Sequence, residues 1–517
     1  MNQRLRFIPF LLLLVLWTVQ LSAQTSVLPR SIPEDQGVSS KGIIDFLDAM
    51  DKSKHEMHSL MILRHGNMIA EGWWSPYRPE LKHTLYSLSK SFTSTAVGFA
   101  VQEKLLTVND KVISFFPDKL PGKVNDYLAA LSVKDLLSMS AGQAPDPTGP
   151  IITKETDWIK GFFATPIVYQ PGSVFLYNSA ATYMLSAIVQ KLTGQKIVDY
   201  LQPRLFGPLG IQGVDWETDP MGINTGGWGL RVKTEDIARF GQLYLQKGKW
   251  NDKQILPAAW IEEATSFKVD NAPDASQGRR DSSDWAQGYC YQFWRSRNNS
   301  YRGDGAFGQY MLVLPEEDAV IAITSETNDM QGQLDLVWKY LLPAMRVDKS
   351  TLDKKNAAIL KKRLSILKLP LPLAADSAFV TPVISGKQFK IEPNPKQVAQ
   401  IGFTEKDHVI TLGLTTEKDS YLLKFGKGKW IEGITDLLGP SLVAGAKGHF
   451  AGLPPSQIAG SYSWKSASLL EMQLRYIDSP HTLIMIFHFE GDKVLVDMKD
   501  SFAAPDKKVT LVGKQGQ

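Results

Sequence analysis

The chain has 517 residues, 43% apolar and 21% charged, ordinary globular values that exclude a disordered polymer. Fifty-seven Lys and Arg against 53 Asp and Glu leave a formal charge of +4, too small for a general polyanion binder, so nucleic acid is set aside as a partner. At about 150 residues per domain the length allows roughly three units, with a core large enough to need no covalent staples.

Residues 1–23 read as a secretory signal peptide. Arg4 and Arg6 precede an apolar run from Phe7 to Trp17, followed by Leu21-Ser22-Ala23 before Gln24. The run is shorter than the ~20 residues that span a bilayer. No later stretch is long and apolar enough to cross one, so no transmembrane segment is expected after signal removal. The expected location is periplasmic or secreted.

From Ser59 to Trp74 the alternation predicts a β-hairpin, with Gly66-Asn67 supplying the positive φ angles of the turn. From Ser89 to about Lys104 the pattern turns helical, with Phe92, Ala96, Phe99 and Ala100 on one stripe. Helices dominate from 105 to 290. The clearest runs from Ser179 to Leu192 with Gly194 just beyond it, and another begins near Thr234 and ends at Lys247-Gly248.

Strands are expected from Gly288 to Trp294 and over Gln309 to Thr324, the second broken by a turn at Pro315-Glu316-Glu317-Asp318, and then a helix over Leu334 to Leu342. Cys290, the one cysteine, cannot form an internal disulfide and reads as a buried residue of the first of these strands. Strands at both ends with helices between them predict an α+β unit over residues 24–345, an antiparallel sheet flanked by helices with a helical subdomain. Residues 346–380 read as a basic linker holding a short amphipathic helix: eight basic residues against two acidic ones from Arg346 to Lys368, then Pro370 and Pro372. Beyond Thr381 the period becomes two. Residues 381–517 read as a C-terminal all-β module, with Thr482 to Phe489 and Lys493 to Met498 joined by Gly491-Asp492.

Several chemistries fall away first. The eight histidines include no His-Glu-x-x-His, and His55 and His58 have no third ligand nearby and read as a surface pair. No Gly-x-Ser-x-Gly marks an α/β-hydrolase nucleophile elbow, and no glycine-rich phosphate loop carries Lys-Ser or Lys-Thr.

Ser87-Leu88-Ser89-Lys90 remains. At roughly 7% usage for each residue, Ser-x-x-Lys arises by chance two or three times in this length, and Ser365-Ile366-Leu367-Lys368 is such a match inside the basic segment. Ser87 sits where a Leu-Tyr run enters a helix, so Lys90 shares its face. A serine hydroxyl needs a base, and a lysine serves only once its pKa falls far below 10.4. Burial and the positive end of a helix both push it down, and a phenol ionised by the same potential could share the work. Tyr177-Asn178-Ser179, at the head of a helix, offers the phenol; the same residues also suit a plain helix cap. Tyr301 to Tyr310 brings three glycines to the head of a strand, where a substrate could approach the backbone and one N–H could pair with that of Ser87 as an oxyanion hole. A bulged edge strand fits the same pattern. Trp73, Trp228, Trp285 and Trp294 suit a cleft lining or the core equally well.

Together these segments resemble the serine β-lactamase and penicillin-binding-protein superfamily, specifically its class C-like serine hydrolases. The order is His83 to Thr93 around Ser-x-x-Lys, then Leu136-Leu137-Ser138-Met139-Ser140-Ala141-Gly142, the tyrosine motif, Gly226-Gly227-Trp228-Gly229-Leu230-Arg231 and the glycine-rich strand. The resemblance implies Ser87 as acylated nucleophile, Lys90 as its base and Tyr177 as the proton shuttle to the leaving group. It puts Ser179 where class C enzymes usually carry asparagine, and Gly303 to Ala306 in place of Lys-Thr-Gly, with Gly305 matching its glycine; Gly305 and Ala306 would then border the oxyanion. No Lys-Thr-Gly exists in the chain, and Arg302 is the candidate substitute for its lysine as a carboxylate anchor.

The expected function is an exported serine hydrolase that cleaves an ester or amide bond of a small-molecule or peptide substrate, with weak β-lactamase activity at most and neither metal nor cofactor. The alternatives are a non-catalytic module recognising cell-wall peptides, and a protein whose β-module carries the main role in adhesion or carbohydrate binding.

Overall fold

Helix α1 (Ser40–Asp51), capped by the Ser39 side chain, opens the fold and has no counterpart in the sequence reading. It leads into a hairpin of β1 (Glu56–Arg64) and β2 (Asn67–Trp73). The turn differs from expectation: His65 and Gly66 take positive φ, 48° and 72°, and Asn67 already belongs to the strand. Three long helices follow, α2 (Ser89–Gln102), α3 (Ser179–Thr193) and α4 (Thr234–Leu245). Asn178 caps the start of α3, and Gly194 closes it at φ 70°. A second group of strands is β3 (Trp294–Ser296), β4 (Ser300–Gly305), β5 (Gln309–Leu314) and β6 (Ala319–Glu326). This computed structural model describes residues 28–348, 352–373, 379–504 and 506–516; the expected signal peptide lies outside the described residues.

The two groups form one antiparallel sheet in the order β2-β1-β6-β5-β4-β3, sewn together by β1 and β6 with Ile62 opposite Ile321. Period-two alternation divides its apolar side chains between two layers. Leu60, Ile62, Leu312, Ile321 and Ile323 pack with Phe46 and Leu47 of α1 and with α5 (Met330–Leu336), whose helical path continues to Ala344. Met61, Leu63, Met311, Val313 and Val320 face Phe92, Phe240 and the helical subdomain. The fold is therefore mixed α and β, with the antiparallel sheet held between helices.

Two expectations fail. Residues 288–293 are not a strand, although their aromatic composition suits one: Gln292 at φ 65° turns the chain and β3 begins only at Trp294. Cys290 is buried, but in this irregular stretch, with its thiol directed at the Thr265 carbonyl. The segment read as a linker packs rather than spans: after α6 (Lys355–Leu364), Leu367 and Leu369 join Leu360 in the core beside α1. It lies so close to β2 that a Cβ on Gly72 would stand 2.7 Å from Leu367 Cδ1.

The remaining strands are β7 (Gln388–Ile391), β8 (Val398–Lys406), β9 (Val409–Thr416), β10 (Ser420–Lys427), β11 (Ile431–Thr435), β12 (Ser456–Trp464), β13 (Leu469–Tyr476), β14 (Thr482–Glu490), β15 (Lys493–Asp500) and β16 (Val509–Gln515). They form a sheet ordered β10-β9-β8-β7-β16-β15-β14-β13-β12-β11. A parallel contact of β10 with β12, Gly426 opposite Ser461, curls it into a barrel around Phe389, Phe403, Leu412, Leu470 and Phe487.

The barrel grips the first unit through the β13–β14 turn. The Asp478 carbonyl accepts the Thr84 N–H at 2.9 Å, and the Tyr77 hydroxyl donates to the Ser479 carbonyl. Arg475 forms two bonds to the Glu56 carboxylate, at 2.6 and 3.0 Å. Arg231 and Asp478 meet at 3.0 Å with side chains only 2% and 7% exposed. Removing one partner of such a pair strands the other charge away from water. Asp478→Ala is expected to lower unfolding free energy by about 3–5 kcal/mol in urea titrations; a change below about 1 kcal/mol would show that Arg231 finds another partner.

Candidate active site

The chain around Ser87 is held before the helix begins. Leu85 N–H donates to the Leu230 carbonyl, Tyr86 takes φ 47°, and a single 3-10 turn, Tyr86–Leu88, runs into α2 at Ser89. One turn on, the Lys90 amine lies 3.0 Å from Ser87 Oγ, 3.0 Å from Ser179 Oγ and 2.8 Å from the Gly227 carbonyl. Lys90 is 1% exposed. Burial lowers its pKa to about 7, against the opposing pull of Asp146 and Asp304. Half of such amines are neutral at pH 7, so a base stands within reach of the hydroxyl.

Tyr177 completes the group. Its ring centroid is 4.8 Å from the Lys90 amine, its hydroxyl is turned toward Ser87, and Trp294 stacks on it at 5.5 Å. Burial, and next the negative charge of Asp304, raise this phenol above its usual pKa, outweighing the opposite pull of Ser87. Burial thus works against an ionised Tyr177 sharing the work of the base and suits a phenol that relays a proton. Capping and chemistry coexist in this motif. Asn178 accepts the Ala181 N–H and donates to Gln143, which frees Tyr177 on one side and Ser179 on the other to face Lys90.

Gly303 and Gly305 of β4 bring the sheet to this point. A Cβ at Gly303 would stand 2.3 Å from Leu88 Cδ1, and one at Gly305 would stand 2.0 Å from the Leu85 carbonyl. The glycines thus admit the chain around Ser87, where the sequence reading had them admit a substrate. Ala306, half-buried, follows at once, at the end of β4. Arg302 does not replace the missing lysine. It is 0% exposed, lies over the Trp285 and Trp294 rings, pairs with Asp304 at 2.9 Å and donates to the Asp284 and Arg295 carbonyls. It is a strut under β4, not an anchor for a ligand carboxylate.

The Gly226-Gly227 motif was legible as a pattern but not as the carbonyl that holds Lys90, since a backbone acceptor has no side-chain signature. Gln292 went unnoticed as well: buried, it accepts from Thr182 and donates to the Leu136 and Leu137 carbonyls, and its own carbonyl accepts from Ser91. Its positive φ was the missing signal. Of the four tryptophans, Trp294 touches the site through Tyr177, and Trp228 is buried near Trp158. Ser365 caps the end of α6 in solvent, its hydroxyl donating to the Lys362 carbonyl. His55 and His58 are buried rather than paired on the surface; His58 bonds to His83 and Glu56, and His55 to Thr327. Among the described residues no group of three His, Cys, Asp or Glu is arranged to hold a metal ion.

Comparison with known proteins identifies the family of the chain. The Beta-lactamase family matches residues 48–342, more than half of the chain, from the end of α1 to the helix after the sheet. The 6-aminohexanoate-dimer hydrolase of Paenarthrobacter ureafaciens is 26% identical over 290 residues, 52% of this chain and 73% of that protein. Other curated relatives are matched over only about a third of their own length. Among solved structures, EstCE1, described as a hydrolase with promiscuous acyltransferase activity, superposes with TM-score 0.50 at 16% identity, over 61% of this chain and 100% of that one, a likeness of fold. The chain belongs to the Beta-lactamase family, and with it to the serine hydrolases of the β-lactamase and penicillin-binding-protein superfamily.

Proposed function

We propose that this hydrolase cleaves an ester or amide bond of a small-molecule or peptide substrate through an acyl-enzyme on Ser87, outside the cytoplasm. The observation that carries the reading is the buried Lys90 amine, with a pKa of about 7, at 3.0 Å from the Ser87 hydroxyl. Neutral Lys90 takes the hydroxyl proton as Ser87 Oγ bonds to the substrate carbonyl carbon. The N–H groups of Ser87 and Ala306 receive the negative oxygen, each donor contributing about 3–4 kcal/mol. The proton then passes by way of the Tyr177 hydroxyl to the departing alcohol or amine, and the carbonyl re-forms as an ester on Ser87. Water attacks that ester, gives its proton back along the same path, and the acid leaves.

The locked Arg302 supports substrates that need no carboxylate next to the scissile bond, and the charges acting on Lys90, Asp146 and Asp304, favour neutral or cationic ones. An amide fits the name of the 6-aminohexanoate-dimer hydrolase relative. The N-terminal sequence, Arg4 and Arg6 before an apolar run, supports export.

Ser87→Ala is expected to cut turnover of p-nitrophenyl acetate by about a thousandfold or more. A fluorophosphonate should add its mass at Ser87 of the unaltered protein, and turnover retained by the variant would exclude the acyl-enzyme. Because Lys90 must be neutral to act, kcat/KM should fall about tenfold per pH unit below pH ~7 and level off above it. A flat profile from pH 5 to 8 would remove Lys90 from the role of base.

A further inference from the structure

Two aromatic residues next to the site sit in an unfavourable backbone region. Tyr86, just before Ser87, has φ 47°, and Phe307, just after Ala306, has φ 66°. Bulky side chains are strained there and persist only where the surroundings hold them. The peptide after Tyr86 carries the Ser87 N–H, and Phe307 follows Ala306 directly, so the placement of these two residues bears on where the Ser87 and Ala306 N–H groups lie.

Both are held by one residue of the barrel. His481, at the end of the β13–β14 turn, is fully buried. Its Nε2 lies 2.6 Å from the Tyr86 hydroxyl, and its ring meets that of Phe307 edge-on, at 4.7 Å and 89°. Its Nδ1 lies 2.5 Å from Glu326 Oε1 at the end of β6. With a carboxylate accepting at Nδ1, the neutral tautomer that fits this pair carries its hydrogen on Nδ1 and leaves Nε2 to accept from the Tyr86 hydroxyl. Ser501 of the barrel also donates to Glu326, at 2.7 Å, and the Phe502 ring lies 4.4 Å from His481. Either side of Glu326, Ser325 Oγ and the Thr327 N–H donate to the Phe307 carbonyl at 3.0 and 3.1 Å. On its far side the Tyr86 oxygen accepts the Leu442 N–H of the β11–β12 loop.

We propose that His481 is a positioning residue for the oxyanion hole. Oriented by Glu326, it clamps Tyr86 and Phe307 together and thereby aims the Ser87 and Ala306 N–H groups at one point. The barrel is then a working part of the hydrolase and not a module with a separate task. The inference rests on the reading of Ser87 as nucleophile.

The test uses the full chain and p-nitrophenyl acetate, with kcat expressed per site counted by burst titration. His481→Ala is expected to lower kcat per site about ten- to a hundredfold, since small misplacements of oriented groups cost that much, and to leave KM within about twofold. Tyr86→Phe, which removes one hydroxyl and keeps the ring, should lose several-fold in the same way. His481→Gln, whose amide oxygen can take the place of Nε2 as acceptor, should recover most of the His481→Ala loss. Unchanged kcat per site in His481→Ala and Tyr86→Phe would overturn the proposal, as would a loss explained wholly by fewer competent sites. Should His481→Ala fail to fold, Tyr86→Phe and His481→Gln decide by the same readout. A Ser87→Ala control keeps the two ideas apart: turnover retained there overturns the nucleophile, whereas its loss there with unchanged kcat in the other variants overturns only His481.

Discussion

An amine removed from water must find its hydrogen-bond acceptors in protein, and Lys90 finds three, from Ser87, Ser179 and Gly227. These belong to the turn before α2, the first residue of α3 and a glycine loop more than a hundred residues along the chain. Their meeting draws three separate stretches of backbone to one atom. Lowering the amine from 10.5 to about 7 corresponds to roughly 5 kcal/mol against its charged form, which the surrounding fold must supply. Much of the molecule can be read as the framework that keeps water from that nitrogen while leaving the hydroxyl beside it usable.

The sheet contributes by proximity and stiffness. Gly303 and Gly305 strip one face of β4 so that the backbone of residues 85–91 can lie against it. On the same strand Arg302, lying over two indole rings and bonded to Asp304 and Ser296, ties β4 to the chain at 284–296. A charge that the sequence offered for ligand recognition is spent internally. Buried ionic groups of this kind fix geometry more than they add stability.

What was legible in the sequence follows the same physics. Alternation and helical stripes revealed the N-terminal hairpin, α2, α3, β5 with β6 and the β13–β15 strands, because each buries one face and shows it as a period. The convergence of Ser87, Lys90, Tyr177 and Ser179 was suggested by the order of motifs. Features carried by backbone atoms stayed hidden: the Gly227 carbonyl, the left-handed Gln292 that replaced an expected strand, and the His65-Gly66 turn. His481 lies 395 residues from its partner Tyr86, in a segment of ordinary alternating strands, so no local pattern could tie it to the site. Helix α1 and the docking of α6 were missed because short, partly charged helices carry too weak a stripe to separate packing from solvation.

Cys290 gives the molecule a property of a different kind. Its sulfur is 0% exposed, and burial pushes the thiol up to about 12, so almost no thiolate exists at neutral pH. In the folded protein this thiol is therefore shielded from oxidants and from mixed-disulfide exchange. That sulfur becomes reactive only when the packing around it opens, so its modification would keep a record of how often each molecule has come apart.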